Sequence, residues 1–380
     1  MKKIFILLLF LLIPYQVFAE DELLPNAKSG VLIEANSGKI IYEKNKDDQV
    51  SVASMTKMVA QIIILEEIEA GRIHFNDIVT ASKNASDMGG SQIYLEEGEK
   101  MTVEDLMKGI SVASGNDATV AMAEYISGSE DKFVDRMNQK VKELGLKNTH
   151  FSNCTGLDEE NHYSSSYDMA MIARELVINH PDILRFSSIY EDYLRKDSLK
   201  KFWLVNTNKL ISQYEGTDGL KTGHTDLAGY CLAATAKRNQ LRLIGIVLGE
   251  KDSKVRNQET IQLLDFGFQN TRLKILKKSG EIIKNISLKK TNVSSIQAIL
   301  KDDLTVIEDL NENRSNYQYK VQINSLTFPI KKGDKIGMIN VFLDGKKISQ
   351  GDLISSNSVK KISFFSLLIR QFLDLVFGIF

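Results

Sequence analysis

Apolar and polar residues alternate along the strand-like parts of the chain. The segment SGVLIEANSGKIIYEKN, residues 29–45, alternates on both sides of the turn signal NSG and predicts a two-stranded hairpin. In YCLAATAKRNQLRLIGIVLG, residues 230–249, two apolar runs flank the polar turn KRNQ and predict a second hairpin. The strand-like segment DGLKTGH, residues 218–224, comes just before it.

Helical periodicity fills the chain between these strand groups. Residues 55–73 have helical apolar spacing that stops at Gly71, which predicts a helix buried on one side. Residues 102–130 predict two helices with a break at ASGND, and Thr102 with Asp105 approximates a capping box at the first one. Two further helices are predicted in EDKFVDRMNQKVKELGL and SYDMAMIARELVIN.

Strands at both ends of this region and helices between them favour an α+β fold, in which the strands form one antiparallel sheet covered by helices. We expect this domain to span residues 20–272. Residues 273–355 have short alternating runs instead, and one of them, GMINVFLDGKKISQGDLI, contains the hairpin signal DG. They predict a small all-β domain.

The two ends of the chain indicate where the protein is located. The start, MKKIFILLLFLLIPYQVFAE, is typical of a secretory signal peptide, residues 1–19, cleaved after Ala19. Its apolar run is shorter than the roughly 20 residues needed to cross a bilayer. Residues 356–380 predict an amphipathic helix, whose wide apolar face and charged Arg370 and Asp374 favour a position in the membrane interface. We therefore expect an extracytoplasmic or periplasmic protein, anchored peripherally on the cytoplasmic membrane.

Composition excludes several classes of function. Hydrophobic residues at 43% and charged residues at 26% describe a globular protein, and a net charge of -1 gives no electrostatic case for nucleic acid. Cys154 and Cys231 have no metal-ligand spacing, and the five histidines are scattered, so we expect no metal and no cofactor. Whether the two cysteines are bridged stays open at this point. Trp203, the single tryptophan, is expected to serve packing.

Ser54 and Lys57 are the first candidates for catalysis. Residues three apart share a helix face, so the hydroxyl and the amine can form a hydrogen bond. A serine becomes nucleophilic when a base takes its proton. Lys57 can be that base only when neutral, and lowering its pKa from about 10.4 toward 7 needs roughly 4 to 5 kcal/mol from its environment. Burial and a nearby second cation both act in that direction.

An isolated Ser-x-x-Lys occurs by chance in many helices, so this pair alone is weak evidence for catalysis. Two further elements strengthen that evidence. Ser114, Gly115 and Asn116 form an SGN element, and Lys221, Thr222 and Gly223 form a KTG element. The ordered trio of Ser-x-x-Lys, Ser-x-Asn and Lys-Thr-Gly is a signature of class A β-lactamases and penicillin-binding proteins.

With these motifs the chain resembles the serine-type D-alanyl-D-alanine carboxypeptidases, the low-molecular-mass penicillin-binding proteins. The resemblance extends over residues 30 to 270 through LGLKNTHFSNCTGL, NHYSSSYDMA, DGLKTGHTDLAGY and LLDFGF. It implies a β-lactamase/transpeptidase-like sheet with helices. It also implies peptidoglycan stem peptides as substrates, β-lactam antibiotics as covalent inhibitors, and a C-terminal membrane anchor.

The resemblance also implies a role for each matched residue. Ser54 would be the nucleophile and Lys57 its base, with the N–H groups of Ser54 and His224 forming the oxyanion hole. Ser114 and Lys221 would relay the proton to the leaving D-alanine. Asn116 would hold the peptide amide, and Thr222, in the strand with Gly223 and His224, would bind the substrate carboxylate. Arg256 falls where the family keeps a carboxylate-binding arginine, although its surroundings differ from the family's usual small residues.

Three alternatives remain beside the carboxypeptidase. A peptidoglycan D,D-endopeptidase would share the trio and differ in the shape of its acyl-donor groove. A β-lactamase would need a glutamate for the deacylating water, which Glu175 in ELVIN matches imperfectly, and SGN in place of SDN disfavours it. A non-catalytic wall-binding module would not need an intact trio.

Overall fold

The computed structural model describes residues 23–310 and 316–362. In chain order, its first part contains β1 (Ser29–Glu34), β2 (Ile40–Lys44), a 3-10 turn (Ala53–Thr56), α1 (Lys57–Glu69), β3 (Ile78–Thr80), α2 (Lys83–Ser86), β4 (Lys100–Thr102), α3 (Val103–Val112), α4 (Asn116–Ser127), α5 (Glu130–Glu143), α6 (Ser166–Asn179), α7 (Ile183–Ser187), β5 (Glu191–Leu194), β6 (Phe202–Val205), α8 (Leu210–Gln213), β7 (Thr217–Thr225), β8 (Gly229–Arg238), β9 (Leu241–Glu250) and α9 (Ser253–Asn270).

The central sheet joins the strands from both ends of this part in the order β2-β1-β9-β8-β7, and every neighbouring pair is antiparallel. Alternate residues of β1 enter opposite cores: Val31 and Ile33 pack with the α1 side, and Leu32 packs with α9. Burial on both faces favours a run of consecutive apolar residues, which β1 has at Val31, Leu32 and Ile33. The α+β prediction is confirmed, and β7 lies at an edge of the sheet.

Helix α1 runs through the middle of the larger core. Its residues from Lys57 to Leu65 are all buried, so the prediction of one buried side is wrong for its first two turns. Helices pack around α1 on all sides there, and a helix that is apolar all round is typical of such a position. The predicted cap at α3 is present, since Thr102 Oγ1 accepts a hydrogen bond from the Asp105 N–H at 3.1 Å.

The C-terminal part is all-β over the residues that the structure describes. Its strands are β10 (Thr271–Lys277), β11 (Ile282–Ser287), β12 (Ser295–Leu300), β13 (Leu304–Asp309), β14 (Gln318–Ile323), β15 (Lys335–Leu343) and β16 (Lys346–Ser355). β10 pairs with β13, and the others form a sheet in the order β11-β12-β16-β15-β14. The DG turn lies between β15 and β16 with φ of 50° at Asp344 and 76° at Gly345, as a tight hairpin requires.

The ends of the chain are described only in part. The predicted signal peptide and residues 363–380 of the predicted anchor helix lie outside the described residues. The start of that helix at residue 356 is corrected: residues 356–362 contain no helix, and the buried Val359 pairs with Ile330 in the all-β domain. The domain boundary at 272/273 stays a prediction. No helix among the described residues is long and apolar enough to cross a membrane.

A buried pair of carboxyl groups lies between β9 and α9. Glu250 and Glu259 are 1% and 3% exposed, and Asn26 donates to Glu259 Oε1 from its N–H at 3.2 Å and its Nδ2 at 2.6 Å. Burial, followed by the hydrogen bond to Glu259 and that residue's charge, raises the pKa of Glu250 to about 8, against a partial opposing effect of Lys44. The Glu250 carboxyl group is therefore mostly protonated at neutral pH.

This pair predicts a fall in stability with rising pH. The folded state keeps a proton on Glu250 that the unfolded chain loses above its ordinary pKa of 4.5, so the free energy of unfolding decreases between pH 4.5 and about 8. Glu250→Gln, an amide that donates to Glu259 without titrating, should raise the Tm at pH 8.5 by about 3 °C for each kcal/mol relieved. At pH 5 the two proteins should melt together.

The control is Glu97→Gln, which removes the same charge from an exposed side chain. Thermal melts of the three proteins from pH 5 to 8.5 measure the difference. A Glu250→Gln protein that gains no stability over the wild type as pH rises would show that Glu250 is not protonated in the folded protein at neutral pH.

Candidate active site

Ser54 lies in the 3-10 turn that leads into α1, and Lys57 is the first residue of that helix. A 3-10 turn eclipses residues three apart more closely than an α-helix does. Lys57 Nζ is 2.8 Å from Ser54 Oγ. Ala53, just before the serine, has φ of 49°, a left-handed conformation that alanine rarely adopts and that surrounding packing must enforce. The sequence predicted the contact, but not the 3-10 turn.

The Lys57 side chain is completely buried. Desolvation lowers its pKa to about 7, against smaller opposing effects of Cys154 and Asp117. Its amine also donates to the carbonyl oxygen of Thr155 at 2.6 Å. A large fraction of this amine is therefore neutral at neutral pH, which is the form that can accept a proton.

Ser114 and Lys221 form a second hydroxyl–amine pair. Ser114 lies in the turn between α3 and α4 with φ of 62°, and Lys221 lies in β7. Lys221 Nζ donates to Ser114 Oγ and to the Thr222 carbonyl oxygen, both at 2.8 Å. Burial, followed by the charges of Lys57 and Arg256, holds the pKa of Lys221 well below its ordinary value. Lys221 lies two residues before Gly223, which packs against the serine turn, so the second pair is close enough for the charge of Lys57 to affect Lys221.

Asn116 opens α4 beside Ser114. Its Nδ2 donates to the Gly89 carbonyl oxygen at 2.7 Å, and its buried Oδ1 has no hydrogen-bond partner within the described part of the chain. The next residue, Asp117, accepts hydrogen bonds from the N–H groups of Ile93 and Leu95 at 3.0 to 3.1 Å. These hydrogen bonds hold the loop of residues 89–95 along the SGN element.

The KTG element lies on β7 against the segment that carries the serine. A Cβ on Gly223 would come within 2.6 Å of the Val52 carbonyl oxygen, so only glycine permits this approach. Thr222 Oγ1 donates to Thr207 Oγ1 at 2.7 Å. His224 is exposed, and its ring centroid is 4.0 Å from that of Tyr230. The structure therefore brings β7 and the serine turn together.

Arg256 lies on α9 and is 5% exposed. Its guanidinium donates to Asn257 Oδ1 at 2.7 and 3.1 Å and approaches the Cys231 carbonyl oxygen at 3.5 Å. None of the ion pairs between described residues involves it, and burial lowers its pKa. The charge of Asp252 opposes this effect of burial on Arg256 only in part, and the charge of Arg256 contributes to the lowered pKa of Lys221.

Sequence reasoning missed the loop that contacts Lys57. Residues 153–158 present the Thr155 carbonyl oxygen to the amine, and a Cβ on Gly156, with φ of 84°, would overlap the Ala53 carbonyl group. Asp158 Oδ1 accepts from Ser51 Oγ at 3.2 Å and from Thr225 Oγ1 at 2.7 Å. The NCTG stretch, with a turn-forming asparagine three residues before a glycine, was the available signal.

The packing role expected for Trp203 is wrong, since 56% of its side chain is exposed. It pairs with Tyr193 across the β5–β6 hairpin, on the outward face. Cys154 and Cys231 are both buried free thiols, so they are not bridged. Among the described residues no cluster of three or more His, Cys, Asp or Glu side chains could hold a metal ion.

A family model described as D-alanyl-D-alanine carboxypeptidase matches residues 16–252, which include the serine turn, the SGN element and the KTG strand. The chain belongs to the D-alanyl-D-alanine carboxypeptidase family. Members of this family are serine peptidases. A second model, described as the C-terminal domain of penicillin-binding protein 5, matches residues 272–361 and so covers the all-β domain.

Two similar proteins match nearly the whole chain, and a third matches 64% of it. The D-alanyl-D-alanine carboxypeptidase DacF of Bacillus subtilis is 44% identical over 93% of this chain and 91% of its own length. The crystal structure of penicillin-binding protein 5 from Haemophilus influenzae is 34% identical, with a TM-score of 0.70, and covers 88% of this chain and 98% of that one. Penicillin-binding protein D2 of Listeria monocytogenes, solved in its ampicillin-bound form, is 28% identical with a TM-score of 0.58 over 64% and 97% of the two chains.

Proposed function

We propose that this protein is a serine D-alanyl-D-alanine carboxypeptidase that removes the terminal D-alanine from peptidoglycan pentapeptides through an acyl-enzyme. The observation that carries the mechanism is the 2.8 Å contact between Ser54 Oγ and the buried amine of Lys57, whose pKa is lowered to about 7. A neutral amine at this distance can take the hydroxyl proton as the oxygen attacks.

In the acylation step, Ser54 Oγ bonds to the carbonyl carbon of the penultimate D-alanine while its proton passes to Lys57. The resulting oxyanion is placed between the backbone N–H groups of Ser54 and His224. The close approach of Gly223 to Val52 supports this assignment, because it brings β7 against the serine turn from the side. These donors are fixed before the charge develops, so little reorganisation is needed.

The collapse of this intermediate breaks the peptide bond, and the leaving D-alanine nitrogen needs a proton. The Ser114–Lys221 pair is the proposed relay, since its oxygen and nitrogen are 2.8 Å apart and Lys57 lies within electrostatic range. Water then attacks the acyl-enzyme, with Lys57 again accepting the proton. Ser54 is restored and the shortened peptide leaves.

Substrate binding uses the edge of the sheet. Within the described ranges no strand pairs with the outer side of β7, so an extended peptide can add to it through main-chain hydrogen bonds. The unpartnered Asn116 Oδ1 can accept an N–H of that peptide. Thr222 and the buried Arg256 are the proposed partners of the terminal carboxylate.

The β-lactamase alternative lacks a supporting contact. None of the hydrogen bonds between described residues joins Ser54 or Lys57 to a carboxylate, and Glu175 instead contacts Asn179 at 2.7 Å and His180 at 3.7 Å. We also propose β-lactams as covalent inhibitors, on the grounds that the Listeria relative was solved with ampicillin. The endopeptidase remains the second candidate, because it would use the same residues.

For location we propose export by the signal peptide, residues 1–19, and peripheral anchoring by the tail on the outer face of the cytoplasmic membrane. The apolar face and the charged stripe of residues 363–380 in the sequence support this.

Replacement of Lys57 tests the base. In Lys57→Arg the guanidinium stays charged and cannot accept the proton, so acylation by a fluorescent penicillin should slow by about 10²–10⁴-fold. Lys57→Met, which keeps the buried stem without a base, should be equally slow, and Ser54→Ala should not label at all. In the wild type, acylation should fall as pH drops below about 7. A Lys57→Arg protein that acylates at the wild-type rate would exclude Lys57 as base, provided that thermal melts show both variants folded.

An assay with two substrates separates the carboxypeptidase from the endopeptidase. Purified protein is incubated with a pentapeptide and with a cross-linked dimer, and free D-alanine is scored against cleaved dimer. The proposal expects D-alanine release at least ten times faster than dimer cleavage, and neither activity in Ser54→Ala. Faster dimer cleavage would make the protein an endopeptidase.

Truncation tests the anchor. The cut is placed after Ile362, because an earlier cut would remove Val359 from the core of the all-β domain. Deletion of residues 363–380 should move the mature protein from the membrane to the soluble fraction with unchanged D-alanine release. Continued membrane association of the truncated protein would contradict the anchor.

A further inference from the structure

Asn153 uses its whole side chain to shape the loop that contacts Lys57. Its Oδ1 accepts hydrogen bonds from Thr155 N–H at 3.2 Å, Thr155 Oγ1 at 3.1 Å and Gly156 N–H at 2.7 Å. Its Nδ2 donates to the Leu157 carbonyl oxygen at 3.0 Å and to Glu159 Oε2 at 2.9 Å. One amide therefore fixes both the entry and the exit of a tight turn.

The turn presents a single carbonyl group to the reacting atoms. The Thr155 oxygen is 2.6 Å from Lys57 Nζ and 3.4 Å from Ser54 Oγ. Gly156 lies directly against the backbone of Ala53, where a Cβ would come within 1.9 Å of the carbonyl oxygen. The Gly156 contact blocks a closer approach of the loop to the serine, and the Asn153 side chain holds the turn that carries Thr155 in its conformation.

The orientation of a neutral amine depends on such an acceptor. A neutral lysine amine has two N–H donors and one lone pair, and only the lone pair can take a proton from serine. When Thr155 accepts one N–H, rotation about the terminal bond of Lys57 is restricted and the lone pair can be held toward Ser54 Oγ. A base that must hold its geometry depends on such second contacts.

We propose that Asn153 is a positioning residue for the general base: it holds the Thr155 carbonyl oxygen where that oxygen orients the Lys57 amine toward Ser54. The inference rests on the proposed role of Lys57. Asn153 itself does not contact the reacting atoms in this scheme.

The test is the pH profile of acylation by a fluorescent penicillin in two variants. Asn153→Ala frees the loop, so the plateau rate should fall about 10- to 100-fold. The acid limb of this profile is the pH range in which the acylation rate falls as pH drops. Loss of the Thr155 carbonyl acceptor disfavours the ammonium form of Lys57, so the acid limb should move to lower pH. Asn153→Asp keeps the acceptor and adds a negative charge near Lys57, which should move the acid limb to higher pH. The two limbs therefore shift in opposite directions.

The matched control is Asn138→Ala. Asn138 also fixes this chain segment, with Nδ2 to the Phe151 carbonyl oxygen at 2.8 Å and Oδ1 to the Phe151 N–H at 3.0 Å, but does not touch the turn. It should lower the Tm and leave the acid limb in place. The proposal would be overturned if the acid limb stays at the wild-type pH in both Asn153 variants. It would also be overturned if the acid limb moves in Asn138→Ala.

The Lys57 variants separate this failure from a failure of the mechanism. If Lys57→Arg is inactive and the Asn153 limbs do not move, Lys57 is the base and Asn153 has only a structural role. If Lys57→Arg is active, the base assignment itself is wrong. Should Asn153→Ala not fold, Asn153→Leu, which keeps the side-chain volume without the hydrogen bonds, is measured in its place, with the same expected fall in the plateau rate and the same shift to lower pH.

Discussion

The burial of one lysine amine, which forms no ion pair with any described residue, governs the arrangement of this site. A change in the pKa of Lys57 from 10.5 to about 7 corresponds to about 5 kcal/mol of bias against the ammonium form. That bias works against folding whenever the group is charged in the unfolded chain, so the surrounding core must offset it. The apolar residues that pack on all sides of α1 supply this offset and also exclude the water that would restore the charge.

The second lysine makes the first one more useful. Lys57 and Lys221 repel each other when both are charged, so a proton gained by one disfavours a proton on the other. Ser114 Oγ lies 2.8 Å from Lys221 Nζ, which gives that second amine a hydroxyl through which to act. A shared and limited number of protons suits a reaction in which one proton is first removed from a serine and then delivered to a leaving amine.

Contacts between residues close in sequence could be predicted from the sequence. Contacts between distant segments of the chain could not. The hairpins, α3 with its Thr102 cap, and the Ser54–Lys57 contact follow from periodicity and spacing, which are properties of neighbouring residues. The contact of Thr155 with Lys57 joins residues 98 positions apart, and no local pattern specifies it. The exposure of Trp203 likewise depends on which face of the β5–β6 hairpin meets the core, and its aromatic character alone favours the wrong answer. Arg256 was placed by resemblance only, and its surroundings at Cys231 and Asn257 could not be read from SKVRNQET.

Three chain segments have to stay at fixed distances for such a site to work, and Asp158 joins all three at the surface. Its carboxylate, on the loop that holds Thr155, accepts from Ser51 before the serine turn and from Thr225 at the end of β7. Thr225 Oγ1 in turn accepts the Ala228 N–H at 3.1 Å, which fixes the turn beyond β7. Each such bond contributes only about 1 kcal/mol of net stability. These bonds matter more for the geometry of the site than for its stability. Gly156 and Gly223 have no side chain that would fix the distance between the segments in the interior. Gly156 and Gly223 allow the backbones of these segments to contact each other in the interior. The hydrogen bonds of polar side chains at the surface are then needed to hold the segments at fixed relative positions.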